Sequence, residues 1–359
     1  MTSGGELGAK VPRSWDLRPL PPARGRADHE GMNFDSMRTV TQFAALAPSV
    51  HNTQPWQFVV NGHSLEVRAD ASRALRQLDP AARQLHISCG AAVEFARLGV
   101  RSLGYSCIVR LAPRADDPLL LATLTIGHRH PASPEERRLI EAIPRRYTDR
   151  GPYDTDIPVS DSLLARLRDA ANERGCWLRV LDRPGDRLTA ATLLYEAESA
   201  EMADQSVFDE LARWRRDEGS EDGIPDSALG EPHPAGVVTD LPLRDFTGQN
   251  RHPQPGGDGP PPQVERDTIV LLGSDSDDPH SWLRSGRALG HLLLVLTDAG
   301  LVSQPLGPVT DIPATRIRLQ RELGLLGHPQ LMLRLGYGHG RPRSGRRDVD
   351  KFLTVAALP

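Results

Sequence analysis

The chain has 359 residues, a formal net charge of −4 at pH 7 and three cysteines. This length suggests one large or two medium domains, and its 43 basic and 47 acidic residues form no broad basic surface, so we expect neither nucleic acid nor a membrane as a partner. The longest apolar run is far shorter than the ~20 residues of a membrane span. Cys89, Cys107 and Cys176 lie far apart, which predicts no metal site and no disulfide framework and favours a reducing, cytoplasmic location.

Hydrophobic periodicity predicts helices and strands throughout the chain after a Gly- and Pro-rich N-terminal arm, residues 1–33, which we expect to be loosely ordered. The elements that we predict from Phe34 onward are, in order, a helix ending near Ala47, a hairpin of strands 56–60 and 65–68, a helix from Pro80 to Leu103, strands 106–111 and 119–126, a short helix to Ile143, a helix 161–171, a strand 176–182, a helix 188–214, a strand 268–273, helices 282–299 and 312–323, and a strand 330–337. This mixture predicts an α+β fold.

Between Asp217 and Pro262 the composition shifts to Gly, Pro, Asp and Glu. An insert of this length without regular structure is usually either functional or disordered. We therefore keep two interpretations, a functional segment and a disordered linker.

The two halves of the chain share a pattern. Gly90 and Gly104 bracket an apolar helix in the first half, and Gly286 and Gly300 bracket one in the second, at one constant offset. We interpret this as a diverged duplication, with halves at residues 34–140 and 141–359, although apolar helices that end in Gly are common. A cleft between two such halves is a favoured place for a ligand.

The most informative stretch is Ala47–Trp56, which reads A-P-S-V-H-N-T-Q-P-W. Two prolines stiffen it, and five side chains between them can donate or accept hydrogen bonds, which is more than a turn requires. Because a helix leads in and a strand leads out, we predict a rigidly aimed binding loop. A polar surface turn is the alternative.

Arginines form the second signal. Arg145, Arg146 and Arg150 fall within six residues together with Thr148, and more arginines follow the last predicted strand. Guanidinium groups bind phosphate oxygens in pairs, whereas the alternative is a solvated arginine run. Dinucleotide-binding, P-loop, zinc-protease and serine-hydrolase motifs are absent from the sequence.

Together these stretches resemble the FMN-binding nitroreductase superfamily, and most closely its Acg-type branch. The residues that carry the resemblance are A-P-S-x-x-N-x-Q-P-W at 47–56, R-R-x-T-x-R at 145–150, and a G-Y-G turn followed by paired arginines near 336–347. The resemblance implies two fused nitroreductase-like halves, an internal pseudo-dimer with one FMN at the interface. A monomer is expected, with further dimerisation left open.

The resemblance also implies roles for individual residues. The loop residues Pro48, Ser49, Val50 and Asn52 would border the flavin ring, and the segment Gln304, Pro305, Leu306 and Gly307 would present backbone N–H groups to it. The phosphate and ribityl chain would contact arginines and a threonine: Arg145, Arg146, Thr148, Arg150, Arg343, Arg346 and Arg347. Trp56 and Gln54 would anchor the loop, and Arg187 is a weaker candidate. No side chain, including His51, is assigned as an acid or base.

Three functions remain open at this point. The first is an FMN-dependent oxidoreductase, with NADH or NADPH as a candidate donor, that acts on a small organic molecule. The second is a lid-covered protein that stores or sequesters FMN. The resemblance implies that the insert between Asp217 and Pro262 forms this lid, anchored by Leu229, Leu243, Arg244 and Phe246. The third is an interaction module without a cofactor.

Overall fold

The computed structural model describes residues 33–154, 156–229, 237–239, 263–265, 267–340 and 343–356, with only the backbone for 237–239 and 263–265. The described helices are α1 (Phe34–Ala45), α2 (Arg83–Ser102), α3 (Pro134–Ala142), α4 (Asp161–Asn172), α5 (Pro184–Ala203), α6 (Gln205–Ala212), α7 (Pro279–Asp298), α8 (Pro308–Asp311) and α9 (Pro313–Glu322). The predicted arm lies outside the described residues except for Asn33, as do the expected lid anchors Leu243, Arg244 and Phe246.

The strands form two larger sheets and two small pairs. They are β1 (Trp56–Asn61), β2 (Ser64–Ala69), β3 (Tyr105–Leu111), β4 (Leu120–Arg129), β5 (Tyr153–Asp154), β6 (Trp177–Val180), β7 (Arg215–Arg216), β8 (Ile224–Pro225), β9 (Val237–Thr239), β10 (Gln263–Glu265), β11 (Thr268–Ser274), β12 (Val302–Pro305), β13 (His328–Gly338) and β14 (Leu353–Val355).

The two larger sheets have the same core topology. The first runs β14-β1-β2-β4-β3, and the second runs β12-β13-β11-β6 with β5 beside β13. Each sheet has four core strands that pair antiparallel. Counted along the chain, their order in the sheet is first, second, fourth, third: β1-β2-β4-β3 in one sheet and β6-β11-β13-β12 in the other. The strand β14 is different, because it comes from the end of the chain and joins β1 in parallel, with Phe58 opposite Leu353.

The central contact of the fold is the crossing of α2 and α7. Both helices bury apolar side chains in one continuous core, and at the crossing their backbones touch. A Cβ atom built on Gly90 would lie 2.3 Å from the carbonyl oxygen of Leu283, and one built on Gly286 would lie 2.0 Å from that of Ile87. The two contacts are reciprocal: Gly90 and Ile87 of α2 correspond to Gly286 and Leu283 of α7, with the same difference in residue number for both pairs.

The predicted long helix 188–214 is wrong as a single element. The helix α5 ends at Ala203, and α6 begins at Gln205. Between them Asp204 has a non-helical backbone (φ −91°, ψ 105°), and its carboxylate accepts hydrogen bonds from the backbone N–H groups of Ser206 and Val207. An aspartate in this role is a preferred N-cap, which stabilises a new helix start more than continuation of the old one.

No helix among the described residues is both long enough and apolar enough to cross a membrane.

A methyl group at the helix crossing is expected to destabilise the protein. Gly286→Ala forces the α2 and α7 backbones apart, because its Cβ would overlap a backbone carbonyl that no side-chain rotation can move. We expect the free energy of unfolding to fall by at least about 2 kcal/mol, measured by urea denaturation. Gly185→Ala is the matched control, since it lies in an exposed first helical turn with no atom within 4 Å of its Cβ position. Equal stability of the two variants would contradict this account of the crossing.

Candidate functional site

One cleft is lined by most of the loop and strand residues that the sequence analysis predicted for the site. Its cavity volume is about 140 Å³, and one side is open to solvent. The predicted site residues that line it are Pro48, Ser49, Val50, Thr148, Arg150, Gln304, Pro305, Leu306 and Gly307. Residues 48–50 precede the first sheet, and the others lie at 148, 150 and 304–307, so distant parts of the chain contribute to one site.

The binding loop has a strained backbone. His51, Asn52 and Gln54 have φ angles of 44°, 54° and 50°, in the left-handed region that side chains other than glycine rarely adopt. Two hydrogen bonds hold the turn, one from the Gln54 N–H to the Ser49 Oγ at 2.9 Å and one from the Val50 N–H to the Ser88 Oγ at 3.1 Å. Such strain is characteristic of functional loops that the surrounding structure holds in place.

Asn52 is not among the residues that line the cleft; it connects three segments. Its Nδ2 donates to the carbonyl oxygens of Gly223 at 3.0 Å and Gly345 at 3.1 Å, and its Oδ1 accepts from Arg346 at 3.0 Å. Its amide therefore orients an arginine, while its expected contact with a flavin ring stays a prediction.

Gln54 makes a second connection of the same kind. Its Oε1 accepts from the Arg347 N–H at 2.9 Å, and its Nε2 donates to the carbonyl oxygen of Glu221 at 2.8 Å. The predicted anchoring role of Gln54 thus has a physical basis, because it holds the binding loop to residues near the end of the chain.

The four residues expected from the arginine motif have different surroundings. Arg145 is exposed and donates to the carbonyl oxygen of Glu141 at 3.2 Å. Arg146 is buried, Thr148 forms a bridge with Ser303 next to β12, and Arg150 donates to the carbonyl oxygen of Ala228 at 2.9 Å. Only Thr148 and Arg150 reach the cleft wall itself.

Arg146 lies in a concentration of positive charge. Burial, reinforced by Arg346, Arg343 and Arg150, lowers the pKa of Arg146 to about 9 from its ordinary value of 12.5. Burial and Arg343 likewise lower the pKa of Arg346 to about 10. Within the described residues, no acceptor is hydrogen-bonded to the buried Nε and Nη1 atoms of Arg146 or to the Nε of Arg346. Unpaired donors among like charges suit an anion with several oxygens, such as a phosphate.

The other predicted arginines join segments of the chain. Arg343 donates to the carbonyl oxygens of Pro144 and, at 2.8 Å, of Arg145. Arg347 donates to the carbonyl oxygen of Gln54 at 3.2 Å and lies over the Phe352 ring. Arg187 donates to the carbonyl oxygens of Leu181 and Asp267 and does not line the cleft.

Several cleft residues escaped the sequence reasoning. Gln84, Ile87 and Ser88 project from one face of α2, Glu198 and Glu201 from α5, Ile224 from β8, and Asp311 from α8. The spacing of 84, 87 and 88 is that of a helix face, but it equally fits a buried core helix. Among the described residues no group of His, Cys, Asp and Glu is arranged to hold a metal ion.

Comparison with known proteins identifies the family. No family model matches this chain. However, "Putative NAD(P)H nitroreductase Rv3131" of Mycobacterium tuberculosis is 34% identical over 329 residues, 89% of this chain and 91% of the relative. This chain belongs to the nitroreductase family. "Putative NAD(P)H nitroreductase acg" of the same species is 29% identical over 90% of this chain and 96% of that protein, so the predicted relationship to Acg-type proteins is confirmed.

Among solved structures, a nitroreductase with bound FMN from Desulfitobacterium hafniense superposes with a TM-score of 0.36 at 16% identity, over 60% of this chain and 96% of that one. Family membership confirms the predicted fold class at the level of an α+β nitroreductase fold.

Arg146 is expected to favour anion binding at the expense of stability. Because its folded pKa lies below its ordinary value, the charged guanidinium destabilises the fold below about pH 9, and the penalty is relieved as the pH rises from about 9 through 12.5. Arg146→Met should therefore raise the melting temperature of the flavin-free protein at neutral pH. It should also abolish stabilisation by phosphate, which is about 2.7 kcal/mol at a hundredfold excess over Kd in a protein that binds it.

Differential scanning fluorimetry with and without phosphate measures both effects. Arg166→Met, at an exposed position of α4, is the control and should change neither. A phosphate response that survives in the Arg146 variant would contradict the assignment.

Proposed function

We propose that this chain is an FMN-dependent oxidoreductase of the nitroreductase type, with one FMN in the cleft, that acts on a small organic molecule. The observation that carries the proposal is the arginine cluster near the cleft, in which Nε and Nη1 of Arg146 and Nε of Arg346 are buried without a hydrogen-bond acceptor among the described residues. A dianionic phosphate would supply the missing acceptors. The names of the nitroreductase relatives support the same conclusion.

Residues of this chain fit the parts of FMN by their chemistry. Arg146, Arg150 and Arg346 would hold the phosphate, with Thr148 as a hydroxyl donor beside them. Pro48 and Ser49 on one wall, and Gln304 to Gly307 on the other, would bind the ring. When bound, FMN accepts two electrons from NADH or NADPH, or from a small metabolite, and passes them on to an acceptor in a separate half-reaction.

We further propose that the chain is an internal pseudo-dimer, with halves at about 34–140 and 141–359. Support comes from the equal topology of the two sheets and from the reciprocal glycine contacts at the α2–α7 crossing. The binding loop and the arginine motif each occur once in the sequence. One complete site per chain follows from this arrangement.

A second candidate function is storage or sequestration of FMN beneath a lid. The described start of the insert favours this function, because three hydrogen bonds connect residues 221–228 to the site. Gly223 and Glu221 accept hydrogen bonds from Asn52 and Gln54, Ala228 accepts one from Arg150, and the cleft wall includes Ile224. A firmly held cover would exclude a nicotinamide donor, whereas one that opens would admit it.

FMN content tests the site. The purified protein should be yellow and should release about one FMN per chain after denaturation, measured by absorbance and chromatography against protein concentration. Arg150→Ala should lose most of the FMN, because a charge-assisted hydrogen bond to phosphate is worth about 1.5–3 kcal/mol. Arg166→Ala, exposed on α4, should retain it. A colourless protein that also fails to bind added FMN would overturn the proposal.

Reduction by a nicotinamide donor separates the two functions. Mixing the FMN-loaded protein anaerobically with NADH or NADPH in a stopped-flow spectrometer should bleach the flavin absorbance, and a nitroaromatic acceptor should restore it. Photoreduction of the same sample is the control for a competent flavin. Bleaching by light but by neither nucleotide would favour storage or an unidentified donor.

A further inference from the structure

The proposed function leaves the carboxyl groups that line the cleft, those of Asp311, Glu198 and Glu201, without a role. Asp311 ends α8 and lines the cleft beside Leu306 and Gly307. Its side chain is 9% exposed, so it combines burial with access to the cleft.

One oxygen of this carboxyl group is fixed. The Asp311 Oδ1 accepts from the Arg83 Nη2 at 2.6 Å and from the Gln84 Nε2. Arg83 is itself held by the carbonyl oxygens of Thr310 at 2.8 Å and Gln330 at 2.7 Å. The guanidinium group is therefore anchored at both of its terminal nitrogens, and Oδ1 is committed as an acceptor.

The other carboxyl oxygen of Asp311, Oδ2, has different surroundings. The Asp311 Oδ2 lies against Gly307, where a Cβ atom would approach it to 2.7 Å. No described residue donates a hydrogen bond to Oδ2, since both bonds of the carboxyl group end on Oδ1. A proton on this group would therefore reside on Oδ2, beside the turn that forms one wall of the cleft.

The electrostatic surroundings help to retain such a proton. Burial raises the pKa of Asp311 above its ordinary value, although Arg83 and Arg316 oppose the shift. Burial also raises the pKa of nearby Asp79 to about 6, with a repulsive contribution from Asp311. The other titratable side chains that line the cleft are Glu198 and Glu201 of α5, His51 of the loop, and Arg150.

We propose that Asp311 is a catalytic residue that donates a proton from Oδ2 to the acceptor during its reduction, an inference that rests on the proposed function. For a nitro acceptor, two electrons and one hydrogen arrive as a hydride equivalent from the reduced cofactor. Asp311 adds one proton to a nitro oxygen, one N–O bond breaks, and that oxygen leaves as water, so that a nitroso product remains. The carboxylate then recovers its proton from water at the open side of the cleft.

The test follows reoxidation of the photoreduced, FMN-loaded protein by nitrobenzene in single-turnover stopped flow. In the unsubstituted protein the rate should fall as the pH rises through the pKa of Asp311, because the protonated form is the reactive one. Asp311→Asn should slow reoxidation at least about a hundredfold, the lower range for loss of a general acid, and should remove this pH dependence.

Two further variants and a spectroscopic measurement complete the design. Gly307→Ala presses on Oδ2 without a backbone penalty, since its φ is −60°, and should slow the reaction to an intermediate degree. Asp117→Asn removes another carboxylate paired with an arginine, Arg68, outside the cleft lining and outside the Arg83 network, and should leave the rate unchanged. Infrared difference spectra of the oxidised, FMN-loaded protein, titrated across the pH limb, should contain a protonated-carboxyl band that is missing only in Asp311→Asn.

The outcomes separate this inference from the function on which it rests. If the unsubstituted protein binds no FMN, the proposed function fails. If Asp311→Asn retains FMN and photoreduction but keeps the rate and pH dependence of the unsubstituted protein, only the role of Asp311 is overturned. A loss shared equally by Asp117→Asn would also overturn it, because the effect would then be structural.

Discussion

The backbone contact between α2 and α7 is the constraint on which the remaining structure depends. Since Gly90 and Gly286 leave no side chain between the helices, α2 and the loop before the first sheet are brought close enough to the second sheet to line one cleft with it. Nearby, the fully buried Glu94 accepts from Arg97, Arg174 and Arg287. Burial alone would raise the pKa of Glu94, but these cations lower it well below its ordinary value, so the helix interface tolerates a charge only because it is surrounded.

Residues 343–355, which follow β13, connect the arginine motif, the binding loop and the first sheet. Arg343 contacts the arginine motif, Arg346 and Arg347 bind the loop through Asn52 and Gln54, and β14 then extends the first sheet. A short polar stretch thus fixes the distance between the two walls of the cleft. Asn52 and Gln54 are consequently better understood as connectors of chain segments than as isolated recognition groups.

The sequence predicted the elements with strong periodicity and the segments with unusual composition. Loop 48–50, Thr148, Arg150 and 304–307 do meet at one cleft. The sequence did not predict β14, because three residues after a basic segment have no periodicity of their own. Their strand conformation depends on pairing with β1. The break at Asp204 is a local cap that competes with helix continuation. Asp311 was not predicted from the sequence, because the residue that fixes its carboxyl group, Arg83, lies more than two hundred positions earlier and no neighbouring motif marks it.

The site as a whole stores unfavourable energy in two forms. The loop holds three non-glycine residues at positive φ, and Arg146 and Arg346 keep buried donors beside like charges, without acceptors in the part of the chain that the structure describes. Neither feature stabilises the chain by itself, so the surrounding core must maintain both. An anion that supplies acceptors to the arginines would relieve the second of these penalties. Binding and folding are therefore coupled here, and the same charges that weaken the empty site determine the sign of the ligand that stabilises it.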